Sequence, residues 1–444
     1  MWQDDFGVDE FQARRRRLCE ALDADAVVLL QGARRPVEGR PFRQYNDFYY
    51  LCGVETPGAY LLIRGSDARA TVFLPHRSEL STDSDAEPLS ADNAEAGRQA
   101  TGLDEVVGIE KLGERLARAK AVYMPFEDGQ GWATNRHDSR SWGHYVTTDP
   151  WDTRPTRSAH LIQNVRTRFP GSDVRDLSPL MDDLRLVKSP KEIELLRRAG
   201  LLTAVGLVEA IRSTRPGVME YQLDAILRYH YLAGGAMDRA YPAILAGGPN
   251  AWHGHYSSNN CELKDGDWIL GDCAPDYRYY TSDIGRMWPV GGTYAPWQRA
   301  LYGFVVEYHK VLLAAIRPGR MLAEIHAEAA ETMRGVLDKF EFASPAHEAG
   351  ARAMFDFRGH LSHCVGMSVH DGGRHGIRTL EPGIVFSVDP QLRVLDERLY
   401  IRVEDTVVVT EDGIENLTAH APLELDDVEA LMREDGLLQA FPPA

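Results

Sequence analysis

The sequence predicts a mixed α+β chain in two domains, and three observations carry that expectation. Short apolar runs of strand length alternate with helical patterns in the first third. A well-capped helix start stands near Ser189, where a new pattern begins. Beyond it, long helical stretches alternate with strand pairs bounded by glycine and proline. The length of 444 residues agrees, since an ordinary domain holds on the order of 150 residues.

Taken in order, Glu10 to Leu22 has a helical pattern, and Ala26 to Leu30 (AVVLL), Ala59 to Ile63 (AYLLI) and Ala70 to Leu74 (ATVFL) have the length of buried strands. The stretch from Glu79 to Gln99 is rich in Ser, Asp, Glu and Ala without apolar periodicity, so it reads as a surface excursion without chemistry. The text RLVKSPKEIELLRRAG combines a capping serine, a proline at the first helical position and early glutamates. A boundary at Asp183 follows, with domains expected at 1–183 and 184–444. Further helices are expected at Glu192 to Ile211 and Gln298 to Ile316. Strands are expected at Trp268 to Asp272, Ile384 to Val388 and Leu399 to Thr410, the last alternating its residues between two faces. The sequence has no short-period repeat and no low-complexity segment.

Charge narrows the function. The net charge is −17, which does not favour nucleic acid or an anionic membrane surface. Hydrophobic residues at 44% and charged ones at 26% are those of a folded globular chain. The first residues are acidic, and no apolar region follows Arg14 to Arg17, so a secretory signal is not expected. No run approaches the ~18 apolar residues that span a bilayer. Cys19, Cys52, Cys261, Cys273 and Cys364 are odd in number and scattered, with no C-x-x-C pair. Free thiols in a reducing, cytoplasmic compartment are therefore expected.

The chemistry-bearing residues lie in the second half. Asp272 ends the apolar run WILGD, and Asp283 follows a polar turn in YYTSDIG, so a hairpin would set the two carboxylates face to face. Either alone reads rather as a turn aspartate or a solvated rung. In GHLSHCVGMSVHD, His363 and His370 are seven apart, a spacing that puts them on opposite faces of a strand and nearly one face of a helix. Their roles stay open on spacing alone, although the density of His and Gly suits a tight site. Asp389 follows IVFSV, while Tyr400, Arg402 and Glu404 share a strand face that a solvated reading also explains. If Asp272, Asp283, Asp389 and Glu404 converge, they repel and raise one another's pKa values unless cations neutralise them. Two divalent ions would balance the charge. Oxygen ligation with one imidazole suits Mn²⁺, with Zn²⁺ or Co²⁺ as the other choices, and paired metals serve hydrolysis.

At these residues the sequence resembles the creatinase-like, or pita-bread, metallopeptidases, and within them the Xaa-Pro aminopeptidase P branch. The resemblance lies in the Asp272 to Asp283 spacing, S-H-x-x-G at His363, V-H-D at His370, L-E-P-G at Leu380 to Gly383 and I-R-V-E-D at Ile401 to Asp405. RLVKSPKEIELLRRA and FRQYNDFYYLCG extend it over nearly the whole chain. It implies a pita-bread C-terminal catalytic domain with a smaller α/β creatinase-type N-terminal domain. It also implies Asp272, Asp283, His363, Asp389 and Glu404 as ligands of two metal ions, with Asp283 and Glu404 bridging. His370, Asp389 and Glu404 would be catalytic, and His255, His370 and Arg402 would bind substrate. His360 lies one residue off the position of another family histidine, and His253 reads as structural. Cys273 and Cys364 read as small core fillers.

The implied activity is release of the N-terminal residue from peptides with proline second, by a homo-oligomer, either dimer or tetramer. Alternatives are an Xaa-Pro dipeptidase, another metal-dependent amide or ester hydrolase, or a metal-free binding module. One block departs from the resemblance. Where the family has V-E-P-G-x-Y, this chain has Val388, Asp389, Pro390, Gln391, Leu392 and Arg393.

Overall fold

The computed structural model describes residues 4–34, 41–80, 89–131, 136–373 and 375–442. The chain forms two compact units, Met1–Arg185 and Leu186–Ala444. Among the described residues no helix is long and apolar enough to cross a membrane.

The first unit is built on a six-stranded sheet among the described residues. Its strands are β1 (Ala26–Gln31), β2 (Tyr60–Arg64), β3 (Ala70–Leu74), β4 (Glu105–Gly108), β5 (Ala121–Met124) and β6 (Asp173–Asp176), in the order β4-β3-β2-β1-β5-β6. The run AVVLL forms a strand because all five residues are buried, as they must be in a sheet covered on both faces. Of the expected surface excursion, 81–88 lies outside the described residues. Its end is a mostly exposed helix, Ala94–Thr101, closed by Gly102 in the left-handed conformation at φ 62°. Helix-favouring residues build it, while only Gly97 and Thr101 are buried, so no apolar stripe announced it.

The second unit opens with the helix Pro190–Ser213. Ser189 Oγ accepts from the Glu192 amide, and Glu192 Oε2 accepts from the Ser189 amide at 2.9 Å, with proline at the first helical position. Such a cap is worth about 1 kcal/mol. The strands are β7 (Asp238–Arg239), β8 (Ile244–Gly247), β9 (Trp268–Asp272), β10 (Pro275–Asp276), β11 (Ile284–Pro289), β12 (Leu361–Cys364), β13 (Val385–Val388), β14 (Gln391–Val394), β15 (Leu399–Arg402), β16 (Glu404–Val409) and β17 (Ile414–Asn416). The main sheet runs β12-β13-β16-β11-β9-β8 with β17 on β16, all antiparallel. β14 and β15 form a separate hairpin. Long helices, including Pro296–Ala315, pack with it into one large apolar core.

Two local expectations are corrected here. Leu399 to Thr410 is two strands, because the chain leaves the β14–β15 hairpin at Val403 and enters the main sheet at Glu404. Alternation continues through the switch, which is why the sequence reads as one strand. Asp283 stands just before β11 and Asp389 just after β13, so both sit at strand ends rather than within strands.

Candidate metal centre

Sheet register assembles the acids. Asp272 of β9 pairs with Gly285 of β11, and Gly285 pairs in turn with Glu404 of β16. Residues in register share a face, and Asp283, two residues before Gly285, projects the same way. Glycine in the middle of this row leaves the space between the carboxylates open. A Cβ there would approach the Cβ of Glu404 to 3.0 Å.

The structure brings Asp272, Asp283, His363, Asp389, Arg402 and Glu404 into one cluster, buried except for the partly exposed His363. His363 Nε2 lies 3.3 Å from Asp283 Oδ2 and 3.8 Å from Glu404 Oε1. Asp283, His363 and Glu404 each offer one ligand atom, all within 4.8 Å of one another. Arg402 supplies the counter-charge: Nη1 donates to Asp272 Oδ2 and Nε to Asp389 Oδ1, both at 2.9 Å, while Nη2 meets Glu404 Oε2. Gln391 donates to Asp389 Oδ2 at 2.5 Å. Both oxygens of Asp389 are thus engaged, whereas the buried Oε1 of Glu404 has no hydrogen-bond partner.

Burial dominates the electrostatics. It pushes Asp272 up to about 7, with the charge of Asp283 adding to the effect, and holds Glu404 well above the carboxylate range. Burial also acts to raise Asp283, but the hydrogen bond and charge of His363, with Arg402, outweigh it and leave that group lowered. His370 is pushed down to about 3, first by burial and then by the neighbouring His363, so its imidazole is neutral at pH 7.

These donors fit a divalent cation. A carboxylate oxygen that is buried without a hydrogen-bond partner costs free energy until a proton or metal meets it. Carboxylate oxygens with one imidazole are the ligands that Mn²⁺, Zn²⁺ and related ions take.

The remaining sequence-derived residues fall around this cluster. The ring centroids of His363 and His370 are 3.9 Å apart, and His255, on the exposed loop after Trp252, lies 6.4 Å from His370. His360 is fully buried, bonds the Met354 carbonyl through its ring at 2.9 Å and packs on Tyr308 and Phe357, while its own carbonyl accepts from the Asp389 amide at 2.7 Å. His253, expected to be structural, is exposed. Cys273 and Cys364 are buried, and Cys364 Sγ lies 3.2 Å from His375 Nδ1.

Sequence reasoning missed two contributors. Tyr241 places its hydroxyl 2.6 Å from both Asp272 Oδ1 and Asp283 Oδ1. It precedes β8 in the run YPAIL, where a tyrosine reads as core, so only its neighbours in space reveal it. Glu220, fully buried at the start of the helix Glu220–Ala233, accepts from Gly247 N, Asn250 Nδ2, Tyr256 Oη and Cys261 N. Those four bonds secure the loop that carries His255.

Residues 194–411 match "Metallopeptidase family M24", and residues 11–123 match "Aminopeptidase P, N-terminal domain". The chain is 31% identical to the Xaa-Pro aminopeptidase of Escherichia coli K12 over 95% of its own length and 97% of the relative's. Proline aminopeptidase P II from Yersinia pestis superposes with a TM-score of 0.76 at 29% identity, covering 96% of this chain and 100% of that one. Zinc-substituted E. coli aminopeptidase P in complex with product gives 0.75 at 28% identity, covering 97% and 99%. The second unit thus has the pita-bread fold that the resemblance implied, and divalent metal belongs to its chemistry. The chain belongs to metallopeptidase family M24, in the aminopeptidase P branch.

Proposed function

We propose that this chain is a metal-dependent Xaa-Pro aminopeptidase, releasing the N-terminal residue from peptides whose second residue is proline. The observation that carries the proposal is the convergence of Asp283, His363 and Glu404, with Glu404 Oε1 buried and without a hydrogen bond. The reading takes two divalent ions, Mn²⁺ with Zn²⁺ or Co²⁺ as substitutes. Asp272, Asp283, His363, Asp389 and Glu404 would hold them, as the resemblance implies. Four acids against the single guanidinium of Arg402 support that count, because full ionisation of the acids would leave three negative charges for cations to balance. When bound, such ions supply Lewis acidity and an acidified water.

The chain's own residues do the rest. Proline gives a tertiary amide without an N–H, so its pocket needs shape rather than an acceptor. His370, neutral at pH 7, donates its N–H to the scissile carbonyl oxygen as negative charge develops there. Water adds to the carbonyl carbon, the C–N bond breaks, and Asp389 or Glu404, ionised once cations are bound, would carry a proton from the water to the leaving nitrogen. His255 lies beside the substrate, and Arg402 fixes the orientation of the carboxylates.

The assignment gives catalysis to residues 184–444 and an accessory role to 1–183, in a dimeric or tetrameric assembly as the resemblance implies. A cytoplasmic site of action is consistent with five free cysteines. Reconstitution with Mn²⁺, followed by mass spectrometry of Xaa-Pro-Xaa, Xaa-Pro and Xaa-Ala-Xaa digests, tests the reading. Release of the first residue from Xaa-Pro-Xaa alone is expected. Preference for the dipeptide would make the chain a dipeptidase, and no cleavage with metal bound would make it a binding module.

A further inference from the structure

The hairpin face that carries Arg402 continues outward from the metal centre. Gln391 stands opposite Arg402 and Arg393 opposite Tyr400, so these four side chains project to one side. Leu392 and Val394 are buried on the other, against Gly350 of the helix Pro345–Ala353. Gln391 and Arg402 both grip Asp389. Arg393 and Tyr400 form the next rung, roughly 7 Å farther along the strands.

That rung lies at the loop which brings His255 to the site. Arg393 Cζ is 4.4 Å from the Tyr400 ring centroid and 5.7 Å from that of Trp252. Gly254 packs so closely on Tyr400 that a Cβ there would meet the ring at 3.3 Å. Arg393 is exposed, and no carboxylate of the described residues pairs with it. Glu397 of the same hairpin is taken by His347 at 2.9 Å. A guanidinium steadied against two rings keeps its N–H edges available, and the fork of donors matches a carboxylate.

We propose that Arg393 binds the C-terminal carboxylate of a short peptide substrate. This rests on the aminopeptidase reading above and sets its length preference. An extended peptide advances about 3.5 Å per residue, so a rung roughly 7 Å beyond the centre falls two residues past the metal-bound end. Free-acid tripeptides of the form Xaa-Pro-Xaa are the class selected. Longer peptides place no charge at this rung.

Two measurements on the full-length, Mn²⁺-loaded protein test this. The first compares KM for an Xaa-Pro-Xaa acid and its C-terminal amide. The second compares Kd by calorimetry for the product-like dipeptide Pro-Leu and its amide, which needs no turnover. A screened carboxylate–guanidinium pair is expected to favour the acid by about three- to tenfold in both. In R393M, which keeps an apolar stem against Tyr400 and Trp252, that advantage disappears. R393K retains part of it. Equal values for acid and amide in the wild type, or an undiminished advantage in R393M, would overturn the proposal. If nothing is cleaved while Pro-Leu still binds better than its amide through Arg393, the carboxylate site stands and the aminopeptidase reading fails.

Discussion

The hydroxyl of Tyr241 stands 2.6 Å from Oδ1 of Asp283, and the same oxygen is 2.6 Å from Oδ1 of Asp272. A phenol has one proton to give, so it donates to one carboxylate and accepts from the other, which must itself carry a proton. Asp272, pushed up to about 7, holds that proton, and Asp283, lowered by His363 and Arg402, receives the phenol's bond. Tyr241 therefore fixes the orientation of two acids that would otherwise repel.

Removing that hydroxyl should loosen metal binding without unfolding the protein. Y241F keeps the ring and loses only the donor. Partners of this kind cost about 10–100-fold in metal affinity when removed. Mn²⁺ calorimetry on the variant should give a Kd weaker by that factor with an unchanged circular dichroism spectrum. A Kd within twofold of the wild type would show that the hydroxyl is dispensable.

Arg402 should act as an internal cation. In R402M three buried carboxylates lose their shared partner, and an unpaired buried charge costs about 3–5 kcal/mol. Urea unfolding in chelator should show a loss of that order, and excess Mn²⁺ should recover a large part of it. Equal losses with and without metal would mean that cation and guanidinium do not share a task.

Asp389 and Gln391 should be coupled. The shorter acid has its second oxygen capped by Gln391 at 2.5 Å, whereas the resemblance places glutamate and glycine at these positions. D389E alone drives an extra methylene into Gln391, and overpacking of this kind costs about 1–3 kcal/mol. D389E/Q391G removes the obstacle and should regain the stability and activity lost by D389E. Independent, additive effects of the two changes would contradict this account.

Acid should weaken the fold through two buried histidines, His326 and His360, whose ring centroids are 5.8 Å apart. Burial pushes His326 and His360 down to about 4. An unfolded histidine titrates near 6.5, so the unfolded chain binds protons first as pH falls. Stability is full above pH ~6.5 and is lost between there and about 4, by roughly 1–3 kcal/mol per ring. Urea midpoints in chelator at pH 7, 5.5 and 4.5 should fall in that order, with a shallower slope in H326Q. A slope unchanged by H326Q would assign the loss to other groups.

How far the sequence foretold this molecule depends on the range of the interaction. AVVLL and WILGD are strands because short apolar runs need cover on both faces, and Ser189 with Glu192 announces a helix locally. The helix Ala94–Thr101 escaped because it buries almost nothing. The joining of Asp283 to His363 and Glu404 spans some 120 residues, and no periodicity encodes it; the ordered blocks of the resemblance led to it. Tyr241 and the central place of Arg402 have no local signature at all. They follow from tertiary packing against the row of Asp272, Gly285 and Glu404 that sheet register sets.

Metal analysis after equilibrium dialysis against Mn²⁺ tests the central claim most directly, with wild type and H363A side by side. Two ions retained per wild-type chain, and a clear loss when the single imidazole is removed, are expected. A wild-type chain that retains none, or an H363A variant that holds as many as the wild type, would contradict a metal centre built on Asp283, His363 and Glu404.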